Sequence, residues 1–128
     1  MFDFIRVAAA VPEVSVGNVD FNVEKIIEKA AESDKKSVQL TVFPELAITG
    51  YSCGDLFFQS NLLGAAKKGL SKIAKASADL KTVLVVGLPF DFDGRLFNCA
   101  FAHGEYYALG QRIGNFGFSA KKPSKRRR

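Results

Sequence analysis

The sequence is poor in the residues that build metal and disulfide centres. It has two cysteines and one histidine in 128 residues. Cys53 and Cys99 show neither metal-ligand spacing nor a disulfide-rich context, so no metal site and no disulfide scaffold is expected. Such cysteine usage suits a reduced, cytosolic compartment. Long apolar runs are lacking too, and nothing approaches the roughly 18–20 residues of a membrane span. The opening MFDFIRVAAA has no basic segment ahead of a long apolar stretch, which argues against a signal peptide. No internal repeat is present. Acidic residues are missing from one end of the chain, since all 13 lie at or before Glu105.

That last absence makes the formal net charge of +5 misleading. Residues 1–110 hold eleven basic side chains against thirteen acidic ones, a balance of −2. Arg112, Lys121, Lys122, Lys125, Arg126, Arg127 and Arg128 give the remaining stretch +7. The run KKPSKRRR has the composition of a nuclear-localisation or nucleic-acid patch. The mildly acidic body, however, offers neither a second basic face nor interleaved aromatics, so nucleic acid is not the expected partner.

What is present is ordinary globular material. Hydrophobic residues make up 48% and charged residues 24%, which predicts a buried core within one small domain. Phe4 to Val11 reads as a strand ended by Pro12. Asn18 is a candidate N-cap for a helix running to about Ser33, with Val19, Val23, Ile26, Ile27 and Ala30 recurring on one face. After a turn at residues 33–36, the run Val38 to Phe43 predicts a strand buried on both sides. A second helix is expected from Asn61 to Ala78, although Gly64 and Gly69 each weaken it by about 1 kcal/mol relative to alanine. Thr82 to Leu88 reads as a third strand. Asp93-Gly94 signals a hairpin into a fourth, Leu96 to Ala102. The order predicts an α/β fold with helices on a mixed sheet. Beyond Gly104 no clear period survives, and residues 104–128 read as an irregular, divergent basic tail.

One residue stands out chemically. Glu45 follows a predicted strand directly, behind Pro44, with Phe43, Leu46 and Tyr51 placed to shield it in part. A carboxylate at such a position is suited to passing protons to and from a nucleophile near neutral pH. The alternative is a strand-end glutamate that only caps its loop.

The run VFPELAITGYSCGDLFF, residues 42–58, resembles the first catalytic loop of the nitrilase, or carbon–nitrogen hydrolase, superfamily. The extension Ser52-Cys53-Gly54-Asp55-Leu56-Phe57 is similar to the N-terminal glutaminase domain of glutamine-dependent NAD synthetases. The opening strand, Pro12, Gly17-Asn18 and Asn22 fit as well, as do Val86-Gly87-Leu88-Pro89 and Leu96-Phe97-Asn98-Cys99-Ala100. The resemblance covers roughly residues 4–103, with its motifs in the family's order.

It implies part of a four-layer α-β-β-α sandwich and a Glu-Lys-Cys triad that hydrolyses the glutamine side-chain amide. In that triad Glu45 is the general base, a lysine steadies the oxyanion and a cysteine thiolate attacks. The ammonia then passes to a synthetase domain. Tyr51, with Asp55, is placed at the site's entrance as a substrate-binding candidate, against a role as a packed turn aromatic. After His103, itself expected to be a solvated loop residue, nothing matches the family's continuation. Neither Lys121 nor Lys122 has the expected flanks, and Cys53 and Cys99 match non-catalytic positions.

Residues 1–103 therefore read as the N-terminal part of such a domain, truncated or frame-shifted beyond that point and inactive alone. No cofactor is expected in this segment, since ATP would belong to the synthetase domain. The expected partners are glutamine, that domain or further copies of the chain. The rival expectation is a non-catalytic module, either a pseudo-amidase or a polyanion binder acting through its tail.

Overall fold

The computed structural model describes residues 4–50, 60–102, 107–112 and 118–121. Strand β1 (Val7–Ala9) leads to helix α1 (Val19–Lys35), strand β2 (Leu40–Val42) and helix α2 (Ser60–Ala76). A 3₁₀ turn at Ser77–Asp79 closes α2 and precedes the long strands β3 (Val83–Phe92) and β4 (Arg95–Ala102). Two further strands, β5 (Tyr107–Arg112) and β6 (Phe118–Lys121), complete the series.

Local chemistry accounts for the boundaries. Asn18 caps α1 through its side-chain oxygen, which accepts from the Phe21 N–H at 3.2 Å. Asp20 in the first turn and Lys35 in the last complement the helix dipole. The turn between β3 and β4 has φ of 52° at Asp93 and 69° at Gly94. Positive φ at both central residues marks the tight hairpin that the dipeptide predicts. The first two strands are shorter than their apolar runs, because β1 and β2 pair over only three positions, Val7 to Ala9 against Leu40 to Val42.

The six strands form one sheet in sequence order. β1, β2 and β3 run parallel, joined by α1 and α2 as crossovers, and β3 to β6 run antiparallel. Both helices cover the same face. Val19, Val23, Ile26 and Ala30 of α1 and Ala66 and Ile73 of α2 bury against Leu84, Val86 and Leu88 of β3. On this face Thr41 is fully buried, and its hydroxyl pairs with that of Thr82 at 2.8 Å.

The expectation that β2 is buried on both sides does not hold. Val42, on the opposite face, is 40% exposed, and its neighbours in the sheet Val7 and Val83 are 58% and 39% exposed. The reason is architectural, since among the described residues no second layer lies on that side. Helices on one face of a mixed sheet supply two layers of the expected four.

The irregular tail is also corrected. β5 pairs with β4 over six positions and β6 with β5 over four. Ladder hydrogen bonds are made by the backbone, so strands can form where side chains show no period. No described helix is long and apolar enough to cross a membrane.

Candidate active site

The loop at residues 43–50 leaves the end of β2 and is held at several points by backbone bonds. The Phe43 N–H donates to Val85 O at 3.0 Å and the Ile48 N–H to Gly87 O at 3.2 Å, both on β3. The Gly17 N–H donates to Thr49 O at 2.8 Å, and the Gly50 N–H closes a tight turn onto Leu46 O at 2.7 Å. Asn22 of α1 is fully buried beneath this loop. Its amide donates to Ile48 O and to Ser15 O, both at 2.9 Å, and its oxygen accepts from the Ser15 N–H at 2.7 Å. A buried amide with these bonds made has its desolvation offset, and it ties α1, the 12–18 loop and the 43–50 loop together.

Gly87 permits the close approach. A Cβ there would stand 2.6 Å from the Leu46 backbone nitrogen and 3.3 Å from the Glu45 carbonyl carbon. The backbone of the Glu45 loop thus lies directly on the central strand. Leu46 adopts φ of 53°, in the left-handed region that non-glycine residues seldom visit. Its side chain turns inward against Leu62 and Leu96.

Phe43, Leu46, Ala47, Ile48 and Thr49 are all buried, while Glu45 is exposed. The shielding of Glu45 by Phe43 and Leu46 expected from sequence is therefore absent, because both point into the core. What holds the carboxylate instead is Asn98 of β4, whose Nδ2 donates to Glu45 Oε1. The sequence motif contains Asn98 but assigns it no task. Its signal, visible only with the register, is a polar side chain opposite Pro89 in the apolar middle of the hairpin.

Cys99 follows Asn98 but points to the other face, opposite Leu88, and is buried. Burial pushes its thiol up to about 11. Since the thiolate is the nucleophile, this group is unsuited to attack an amide near neutral pH. Tyr51, Cys53, Asp55, His103 and Lys122 lie outside the described residues. Only the backbone of Lys121, in β6, is described. No group of three or more potential metal ligands occurs among the described residues. A depression of about 590 Å³ lies between the N-terminal ends of α1 and α2, lined in part by Asn18, Asp20, Asn61 and Leu62. It includes neither Glu45 nor Asn98 and offers no acid–base pair.

The sequence profile of the carbon-nitrogen hydrolase family matches residues 6–112, a span that takes in Glu45, Asn98 and β5. The chain is 38% identical over 97 residues to the glutamine-dependent NAD(+) synthetase of Mycobacterium leprae, covering 76% of this chain and 14% of that protein. It is 36% identical over 97 residues to the synthetase of the same name from Xanthomonas campestris, covering 75% and 17%. Among solved structures, the glutamine-dependent NAD(+) synthetase of Cytophaga hutchinsonii superposes with a TM-score of 0.74 at 28% identity, over 91% of this chain and 19% of that one. An amidase from Nesterenkonia sp. shares the fold, with a TM-score of 0.66 at 22% identity over 88% of this chain and 44% of that one. The chain thus spans between 14% and 20% of the synthetases it matches.

Proposed function

Because the chain belongs to the carbon-nitrogen hydrolase family, we propose that Glu45 is the general base of a glutamine amidohydrolase unit whose ammonia feeds NAD synthesis. The observation that carries this reading is a single exposed carboxylate on a loop that buries Phe43 and Leu46 to Thr49 and whose backbone is pinned to β3. An accessible base on a rigid support is what proton transfer to a bound substrate requires. The match to relatives named glutamine-dependent NAD(+) synthetases supports glutamine as substrate.

In this chemistry the base takes the proton of a thiol nucleophile and returns it to the amide nitrogen as the carbon–nitrogen bond breaks and ammonia leaves. It then draws a proton from the water that cleaves the thioester, releasing glutamate and restoring the thiol. Of the triad that the resemblance implies, these residues match only the glutamate. Residues 1–103 hold this part of the unit, and the 128-residue chain does not turn glutamine over by itself. Under this reading its further partners are a synthetase domain or other copies of the chain. The working compartment is the cytosol, which the low cysteine content supports.

Two measurements test this. The purified chain releases no ammonia from glutamine above a heat-killed control. A chimera of the M. leprae synthetase carrying residues 4–102 hydrolyses glutamine, and Glu45→Gln in it abolishes that reaction while synthesis driven by added ammonia survives. Glutamine turnover retained by Glu45→Gln removes the residue from the mechanism. Turnover by the isolated chain would require a nucleophile among residues 51–59.

A further inference from the structure

We propose that Asn98 is the positioning residue for the Glu45 carboxylate, an inference that rests on Glu45 acting as the base. A glutamate has three rotatable side-chain bonds, and an exposed one samples many orientations unless a partner fixes it. Here the donor is fixed to the sheet rather than to a loop. Asn98 lies in the middle of β4, opposite Pro89, in a hairpin paired at every position from Val85–Ala102 to Phe92–Arg95. β3 in turn is bonded to β2 on its other side. The acceptor is fixed to the same strand, because Gly87 lets the Glu45–Leu46 backbone rest on β3 and Ile48 bonds to Gly87 O. Leu96, two residues before Asn98 and on the same face, packs against Leu46. Donor and acceptor are thus referred to one rigid element, two positions apart along β3.

The chemistry of the pair follows from its donor inventory. An ionised carboxylate only accepts, so the contact must be made by the amide nitrogen. With Oε1 engaged by Asn98, Oε2 is the oxygen left to take the proton. A neutral amide supplies direction without placing a second charge beside the base. Lysine or arginine at this position would add a charge, and a hydrophobic residue would leave the carboxylate free to rotate. Asn98 therefore acts through Glu45 and not on substrate.

The test uses the chimera described above, because glutamine turnover needs triad members that residues 4–102 do not supply. Asn98→Leu keeps the branching of the side chain and removes the donor. It should lower kcat for glutamine hydrolysis by about 10–100-fold with KM changed less than about twofold, as expected when a reacting group loses its alignment. Ammonia-driven synthesis should keep its rate. Asn98→Ser, smaller and polar, serves as the second variant if the leucine disturbs the hairpin, and the same loss is expected. A kcat within twofold of the parent in the variant that folds overturns the proposal. So does a parallel loss of glutamine-driven and ammonia-driven synthesis in both variants, which marks a purely structural residue. Failure of the base assignment is read separately, from Glu45→Gln alone.

Discussion

At the scale of single residues, neighbours on one strand can have opposite fates. Asn98 and Cys99 are adjacent in β4, yet one reaches Glu45 and the other is sealed against Leu88. A strand turns successive side chains to opposite faces, so the register decides which of the two can reach the Glu45 loop. The thiol's environment gives a pH dependence with a definite sign. Its folded value stands near 11 against 9.0 when unperturbed, so between those values the native chain holds a proton that the unfolded chain releases. Stability contributed by the neutral thiol is complete below about pH 9 and is lost as pH rises toward 11. In a Cys53→Ser chain, Cys99 should react slowly with a thiol-specific disulfide reagent at pH 8 and rapidly once denatured. Equal rates in the two states would show that the thiol is open to solvent.

At the scale of elements, Gly64 and Gly69 look equivalent in sequence, each weakening α2 by about 1 kcal/mol. Packing separates them. A Cβ at Gly64 would meet nothing within 4 Å, whereas one at Gly69 would come within 2.8 Å of Val23 Cγ2 and 2.9 Å of Val19 Cγ1 on α1. Valine side chains are stiff, so those contacts yield only if the helices move apart. Gly64→Ala should therefore raise stability by about 0.5–1 kcal/mol through helix propensity. Gly69→Ala should lower it by about 1–3 kcal/mol through overpacking. Urea midpoints with unchanged slopes decide the matter, and a stabilising Gly69→Ala would mean that α1 and α2 do not cross at this point.

The same contrast explains what was legible beforehand. Asn18, the helical faces and Asp93-Gly94 carry their signals within a few residues, and each appears where local chemistry predicts it. The short β1 and β2, the pinning of the Glu45 loop by Asn22 and Gly87, and the grip of Asn98 on Glu45 depend on partners 26 to 53 residues away. No local pattern encodes such distances. The strands β5 and β6 were hidden for a related reason, since their pairing rests on backbone groups and an available neighbouring strand.

At the scale of the molecule, the decisive feature is the sheet face that carries no layer among the described residues. Two rows cross it in register, Val7–Leu40–Val83 and Ala9–Val42–Val85, with Phe4 and Ile5 beside them at 85% and 71% exposure. Covering several hundred Å² of such a face is worth on the order of 10 kcal/mol at about 25 cal/mol per Å². That is comparable to the whole stability of a typical domain, about 5–15 kcal/mol. The purified chain should therefore bind an apolar dye strongly and scatter light increasingly with concentration, because contiguous apolar patches drive association. The double substitution Val42→Lys and Val83→Lys tests whether this face is responsible. Both side chains are already about two-fifths exposed, so charge there should leave the far-UV circular dichroism unchanged. Dye binding and scattering should both fall, since lysine on an exposed sheet surface opposes association. Undiminished scattering in the double variant would move the sticky surface elsewhere. A parent chain that stays monomeric and dye-free would mean that the face is covered after all.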